Sequence, residues 1–145
     1  MKPTLGTPYP VDWDGRVIQM SANDREIWTY YQSVIEPDFI NLYFNVGVGV
    51  PTMMSKDLDE EMITLVEHIS RRRIDVVAEK ESEWWLIELR YNAGPGAIGS
   101  ILTYKTLWEA DPPDARPVVP VIVTNTPDEN LESVCRTLGI TWMTV

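Results

Sequence analysis

The stretch that most constrains the fold is residues 71–90, which read RRRIDVVAEKESEWWLIELR. Side chains of a β-strand alternate between the two faces of a sheet, and both halves of this stretch alternate in that way. A short polar segment separates the halves, so the pattern predicts a β-hairpin. On the first strand, one face carries Ile74, Val76 and Ala78 and the other carries Arg73, Asp75 and Val77. On the second strand, one face carries Trp85, Ile87, Leu89 and Tyr91 and the other carries Leu86, Glu88 and Arg90.

Two acidic residues of this hairpin are predicted to lie side by side. A turn centred between Glu81 and Ser82 places Asp75 opposite Glu88, because the two are equally far from the turn. Residues directly opposite one another in an antiparallel ladder have Cβ atoms roughly 5 Å apart. Two carboxylates that close together on apolar strands repel each other unless a cation joins them. Hard divalent ions take oxygen ligands, so the sequence predicts a site for Mg²⁺ or Mn²⁺.

The same hairpin resembles the signature of the PD-(D/E)XK nucleases, in which an acidic residue ends one strand and Glu-x-Lys lies on the next. Here the signature reads Ile74-Asp75 and then Glu88-Leu89-Arg90, and the resemblance covers about residues 71–124. It implies a metal-dependent nuclease that hydrolyses the phosphodiester bonds of DNA. It also implies that Asp75, Glu88 and the carbonyl oxygen of Leu89 hold the metal.

Arg90 departs from that signature, because the family has lysine at this position. In the family the lysine neutralises charge near the attacking water and the reacting phosphate. Arginine is also cationic and can stabilise transition-state charge, but its guanidinium is bulkier and keeps its proton near neutral pH. The resemblance therefore assigns Asp75, Glu88 and Arg90 as catalytic residues and leaves open whether the activity is weakened.

Residues 92–108 resemble the second helix of the family, in which several branches carry Gln-x-x-x-Tyr. The matching positions here are Ser100 and Tyr104, so the glutamine is replaced by serine. The resemblance implies that Arg73, Ser100, Tyr104 and Lys105 contact nucleic acid. Two alternatives stay open: Arg73 belongs to a cationic helix end, and Tyr104 is a core residue with an exposed hydroxyl.

Glu26 is a candidate for a further acidic ligand. It lies in a predicted helix at residues 21–35, which corresponds to the first helix of the family, where some members place another metal ligand. A solvated position on the helix surface is the alternative. The acids within residues 57–61 begin another predicted helix, where the helix dipole favours anions, and we do not interpret them as a metal site.

The composition limits the classes of function. The net charge is −10 and the sequence pI is about 4.4, whereas nucleic-acid-binding proteins usually carry a basic surface. This charge counts against tight non-specific DNA binding, although a bound metal would bridge the acidic centre to phosphate. A single Cys and a single His exclude a disulfide framework and a Cys/His zinc site within one chain.

The chain has the length of one domain, which we expect at 1–145, with a proline-rich arm at 1–20 and an α/β core at 21–145. Besides the hairpin, the pattern predicts a strand at 39–50 and a helix at 57–70. It also predicts a helix starting at Gly94-Pro95, a strand at 116–124, another helix and a last strand at 140–145. This order predicts a mixed four- to five-stranded sheet flanked by helices, similar to the restriction-endonuclease core.

The alternative to a nuclease is a catalytically inactive, nuclease-like structural or adaptor protein, for example a phage assembly component. Its partners would be protein subunits or further copies of this chain. A small-molecule enzyme has little support, because the sequence holds no phosphate loop and no dinucleotide-binding motif. Without a signal peptide or an apolar run of roughly 20 residues, we expect a protein with no membrane contact, cytoplasmic or virion-associated.

Overall fold

The described part of the chain contains four helices and five strands, which follow one another in the predicted order. The structure is a computed structural model that describes residues 1–17, 19–35, 38–51 and 59–145, without the side chains of 67–69. The elements are α1 (Ala22–Val34), β1 (Asn41–Val48), α2 (Glu60–Ser70), β2 (Arg72–Glu79), β3 (Trp84–Leu89), α3 (Pro95–Ala110), β4 (Val118–Thr124), α4 (Glu129–Leu138) and β5 (Thr141–Thr144). Within the described ranges, no helix combines the length and the apolar character that a membrane crossing needs.

The five strands form one mixed sheet in the order β1-β2-β3-β4-β5. The β1–β2 and β2–β3 pairs are antiparallel, whereas β3–β4 and β4–β5 are parallel. Parallel neighbours need a crossover connection, and α3 and α4 supply the two crossovers. The predicted α/β class, a mixed sheet flanked by helices, is confirmed.

The predicted register of the hairpin is also confirmed. Val76 lies opposite Ile87 and Glu79 lies opposite Trp84, which centres the turn between Glu81 and Ser82. The turn is closed by a 2.9 Å hydrogen bond from the N–H of Lys80 to the carbonyl oxygen of Glu83. At the other end, the ladder stops at the pair Val76↔Ile87, one step before Asp75 and Glu88.

Each face of the sheet carries its own hydrophobic core. One core lies between the sheet and helices α3 and α4, and includes Trp84 and Trp108, whose rings are 5.4 Å apart. The other lies beneath α1, whose Ile27, Trp28 and Tyr31 are buried against the sheet. Strand β4 shows the alternation, because Val121 and Val123 belong to the α1 core and Ile122 to the α3–α4 core.

The alternation of β1 and β2 is interrupted where Asn45 faces Asp75. Asn45 has a left-handed φ of 52°. The flanking register pairs are Phe44↔Val76 and Val46↔Ile74. Val76 packs in the α1 core, but Ile74 packs in the α3–α4 core. The prediction that Ile74 shares a face with Val76 and Ala78 is therefore wrong, because both strands change face at this point.

The helix ends follow local capping chemistry. The hydroxyl of Ser21 accepts a hydrogen bond from the N–H of Asp24 at the start of α1, as a serine N-cap does. Helix α2 is capped in the same way by Asp59. The sequence places the start of that helix at 57; Asp57 and the side chain of His68 lie outside the described residues.

Strand β4 is central although it contains Pro120. The N–H of Arg90 donates to the carbonyl oxygen of Val123, so odd-numbered residues of β4 direct their backbone groups to β3 and even-numbered ones to β5. The β4–β5 ladder begins only at the pair Val121↔Thr141. The missing N–H of Pro120 thus falls where β5 has not yet begun, and no ladder hydrogen bond is lost.

The N-terminal arm packs along the outer edge of β1. Thr4 pairs with Gly47 and Tyr9 pairs with Leu42, both antiparallel. Buried Arg71 fastens the arm by donating to the carbonyl oxygen of Lys2, the hydroxyl of Thr4 and the carbonyl oxygen of Gly49. The arm therefore covers an edge strand that would otherwise present unpaired backbone groups.

Candidate metal centre

Asp75 is fixed by the backbone of the neighbouring strand. Just beyond the last pair of the β2–β3 ladder, the N–H of Leu89 donates a 2.9 Å hydrogen bond to Oδ2 of Asp75. The N–H and the carbonyl of one strand residue point to the same side, so the carbonyl oxygen of Leu89 is also directed towards β2. The peptide group of Leu89 and the Asp75 carboxylate are thus adjacent.

Glu88 is the second carboxylate, and it is only 5% exposed. Its Oε1 accepts a 3.1 Å hydrogen bond from Nη2 of Arg90, two residues along β3. Its Oε2 is buried and accepts from no N–H or hydroxyl among the described residues, while the side chain also shares a hydrogen bond with the Asp75 carboxyl. Buried carboxylate oxygens are normally satisfied, because an unpaired one loses its hydration without compensation. Either a proton shared with Asp75 or a bound cation can therefore satisfy the buried carboxylate of Glu88.

The two carboxyls hold on to their protons more strongly than exposed acids do. Burial and the neighbouring Glu88 charge raise the pKa of Asp75 to about 8, against the opposing hydrogen bond from Leu89. Burial also raises the pKa of Glu88, and this shift is opposed by Arg90 and by a side-chain hydrogen bond with Asp75. A divalent cation between the carboxylates would reverse both shifts, since opposite charge favours the ionised form.

Asp24 on α1 is a third carboxylate whose charge affects Asp75 and Glu88. Its charge raises the pKa of both Asp75 and Glu88, after the larger effect of burial. Glu26, the candidate for an extra ligand in the sequence, is exposed and lines a separate cleft with Tyr30 and Tyr91. Helical spacing alone could not distinguish the two acids, because the rotation of α1 over the sheet is set by the packing of its apolar residues.

Arg90, Ser100 and Tyr104 meet beside Glu88. Besides its contact with Glu88, Nη2 of Arg90 lies 3.2 Å from the hydroxyl oxygen of Ser100 on α3. Ser100 shares a hydrogen bond with Tyr104, one turn further along the helix. Burial and the charges of Glu88 and Asp75 raise the pKa of Tyr104 to about 12, so its hydroxyl stays protonated and can donate.

The other cations proposed for nucleic-acid contact have protein partners. Arg73 donates to Oε1 of Gln19 near the end of the N-terminal segment. Lys105 forms an ion pair with Glu109, one turn along α3. Arg90 is therefore the cation that the structure brings into contact with the carboxylate pair.

The donor set fits a hard divalent cation. Asp75, Glu88 and the Leu89 carbonyl offer oxygen atoms, which Mg²⁺ and Mn²⁺ prefer, and Glu88 Oε2 is the unsatisfied one. Within the parts of the chain that the structure describes, no three side chains of His, Cys, Asp or Glu form a metal-binding cluster. Asp24 thus influences the pair through its charge, and water would complete the coordination of a bound ion.

Comparison with known proteins leaves the family open. Neither a scan against protein-family models nor a search of curated proteins found a match. A solved structure described as the crystal structure of protein of unknown function AF1548 has a TM-score of 0.49 and 19% identity. The match covers 81% of this chain and 55% of that one. A likeness at this level assigns no function, and the candidate centre is supported by its own geometry.

Proposed function

We propose that the protein is a metal-dependent deoxyribonuclease of the PD-(D/E)XK type, which hydrolyses phosphodiester bonds in DNA. One observation carries the proposal: the Glu88 and Asp75 carboxyls share a hydrogen bond at the end of the hairpin ladder, and Glu88 buries an oxygen there that no N–H or hydroxyl of the described residues satisfies. A buried acid next to a second, half-buried one costs stability, and a bound divalent cation would offset that cost.

In this proposal Asp75, Glu88 and the Leu89 carbonyl hold Mg²⁺ or Mn²⁺. When bound, such an ion would supply a water that is nucleophilic at neutral pH and would neutralise charge that develops on the phosphate. The hydrogen bond from Leu89 holds the Asp75 carboxylate in place before any ion arrives. The three ligand groups lie on two paired strands, so their positions are rigid.

Arg90 replaces the lysine of the family in this mechanism. Its guanidinium lies between Glu88 and Ser100, with Nη2 near both side chains. From there it would donate to a non-bridging oxygen of the reacting phosphate and stabilise the transition-state charge. A guanidinium donates hydrogen bonds and accepts none, so Arg90 cannot act as the base that activates water.

Cleavage of circular and linear DNA in Mg²⁺ or Mn²⁺ tests the proposal. The wild-type protein should cleave, and Glu88→Ala should lose activity. Glu81→Ala is the matched control, because Glu81 is an exposed acid at the turn end of the same hairpin. Cleavage by Glu88→Ala at the wild-type rate would remove Glu88 from the mechanism.

A second candidate function is favoured by the Arg90–Glu88 ion pair. This contact already neutralises one carboxylate inside the protein, as a site that has lost its metal would do. The protein would then be an inactive, nuclease-like structural or adaptor protein, for example a phage assembly component. The absence of cleavage and of metal binding, together with a stable assembly with protein subunits, would favour this function.

A further inference from the structure

A cleft opens at the same end of the sheet as the candidate metal centre. Strands β3, β4 and β5 are parallel and end together there, and ligand sites in α/β sheets commonly form beyond the carboxyl ends of parallel strands. The cleft lies between these strand ends and helix α1. Its lining residues are Glu26, Ile27, Tyr30, Tyr91, Asn125 and Val145.

Two exposed tyrosines line this cleft. Tyr30 on α1 is 61% exposed and Tyr91 after β3 is 45% exposed. Burying a large aromatic side chain stabilises a folded protein. Two tyrosines left exposed at one cleft therefore indicate a surface that a ligand covers. Flat apolar rings of this kind stack against nucleobases, and every base offers a π-face.

The side of the cleft opposite α1 is held in a fixed arrangement. Oδ1 of Asn125 accepts from the N–H of Asn92 at 2.7 Å, and its Nδ2 donates to Oδ1 of Asn92 at 3.2 Å. The hydroxyl of Thr126 donates to the same oxygen of Asn92 at 2.7 Å. These bonds order the turn after β3, which carries Tyr91, against the end of β4.

Both walls of the cleft are connected to the candidate metal centre along the chain. Tyr91 directly follows Arg90, which contacts Glu88. On the opposite wall, Glu26 and Tyr30 belong to the helix whose Asp24 acts on the Asp75–Glu88 pair. The cleft and the carboxylates thus lie at the same end of the sheet, so that in this proposal a strand with a phosphate at the carboxylates passes the cleft.

The charge of the protein favours recognition of bases over recognition of a duplex backbone. Duplex binding depends on several Lys or Arg contacts to phosphate, and this chain has a net charge of −10. Arg73 and Lys105 have protein partners as well. We propose that the Tyr30–Tyr91 cleft stacks an unpaired nucleobase, which makes single-stranded DNA the substrate class of the proposed nuclease. This inference rests on the proposed function.

Glu26 adds a preference among bases. It is an exposed carboxylate on the cleft wall, and a carboxylate accepts hydrogen bonds but donates none. Cytosine presents an amino group as a donor, whereas thymine presents a carbonyl oxygen at the equivalent position. The cleft therefore prefers oligo-dC to oligo-dT, and Glu26→Ala removes that preference.

Fluorescence anisotropy with labelled oligo-dC, oligo-dT and a mixed-sequence duplex of equal length tests the inference. Ca²⁺ replaces Mg²⁺ in these measurements so that binding is separated from cleavage. Tyr30→Ala and Tyr91→Ala should each raise the Kd for oligo-dC by about 5- to 100-fold. Tyr30→Phe and Tyr91→Phe keep the ring and should bind as the wild type does. Leu138→Ala, which truncates an exposed side chain on α4, is the matched control.

The inference is overturned if both alanine variants bind oligo-dC as tightly as Leu138→Ala, or if the wild type binds the duplex as tightly as the single strand. Cleavage is measured separately in Mn²⁺ with single-stranded and duplex DNA. A protein that cleaves through Glu88 but shows no effect of Tyr30 or Tyr91 refutes the inference and leaves the proposed function standing. A protein that neither binds nor cleaves DNA refutes both.

Discussion

The backbone N–H of Leu89 donates a 2.9 Å hydrogen bond to the carboxylate of Asp75 on the neighbouring strand. This contact holds an acid next to Glu88, whose charge opposes its ionisation. The pairing therefore costs folding stability in the absence of a cation. Acidic pairs kept despite such a cost are typical of functional sites, where perturbed pKa values concentrate.

The first prediction concerns stability against pH in metal-free protein. Because the pKa of Asp75 is raised to about 8 when folded, from an ordinary value of about 4, the folded state keeps a proton that the unfolded state has lost. The stability that the protonated Asp75 carboxyl contributes is therefore largest at low pH and is lost as the pH rises from about 4 to about 8. Denaturant unfolding in chelator should show a fall of at most about 1.4 kcal/mol per pH unit.

Asp75→Asn should remove most of this fall, because asparagine can still accept the hydrogen bond from Leu89 but does not ionise. At pH 8 the variant should be more stable than the wild type, and Mn²⁺ should stabilise only the wild type. If the two proteins show the same dependence of stability on pH, then Asp75 ionises as an exposed acid does. Its pKa would then not be raised in the folded protein.

The second prediction concerns Arg90. Arg90→Lys restores the residue of the family signature, and its smaller ammonium would occupy less of the space between Glu88 and Ser100. We expect Arg90→Lys to cleave DNA faster than the wild type, and Arg90→Ala to be slower by on the order of 10²-fold. Single-turnover cleavage measures both rates. Equal rates for all three proteins would show that no cation is needed at this position.

The third prediction concerns Arg71 and the N-terminal arm. Arg71 is 6% exposed and donates to Lys2, Thr4 and Gly49. Arg71→Met should lower the free energy of unfolding by about 2 kcal/mol and make the arm sensitive to proteolysis. Arg72→Met is the control, because Arg72 is the exposed neighbour on β2. Equal proteolysis of the arm in both variants would show that Arg71 does not fasten it.

The fourth prediction concerns Arg116, at the end of the sheet away from the metal centre. It contacts Glu79 and Asp114 at 2.9 and 2.7 Å, and its guanidinium lies 4.2 Å from the ring centroid of Trp84. Arg116→Ala should lower the free energy of unfolding by about 2 kcal/mol and leave DNA cleavage per folded molecule unchanged. Arg136→Ala, on the exposed surface of α4, should have a much smaller effect on both.

The fold was predictable to the extent that local patterns determine it. The alternation of Ile87, Leu89 and their neighbours and the polar turn at 81–82 fixed the hairpin register, and the register brought Asp75 next to Glu88. The parallel strands followed from their alternation with helices. The face change at Asn45 was not predictable, because a left-handed residue inside a strand leaves no mark in the period-two pattern.

The surroundings of the site were less predictable, because tertiary packing sets them. Sequence alone could not choose between Asp24 and Glu26, which lie two residues apart on one helix. The sequence allows two interpretations of Arg73, a phosphate contact or part of a cationic helix end, but its partner Gln19 comes from an N-terminal segment distant in sequence. The same N-terminal segment supplies Thr4, a partner of Arg71. The Arg90–Ser100 contact likewise depends on how α3 packs over β3.

Calorimetric titration of Mn²⁺ into wild type, Glu88→Gln and Glu81→Gln tests the central claim most directly. Glu88→Gln keeps the shape of the side chain and removes the charge that the site needs. The account predicts binding by the wild type and by Glu81→Gln, none by Glu88→Gln, and DNA cleavage only by the two proteins that bind. Equal binding by all three proteins, or no binding by any, would contradict a metal centre at Asp75 and Glu88.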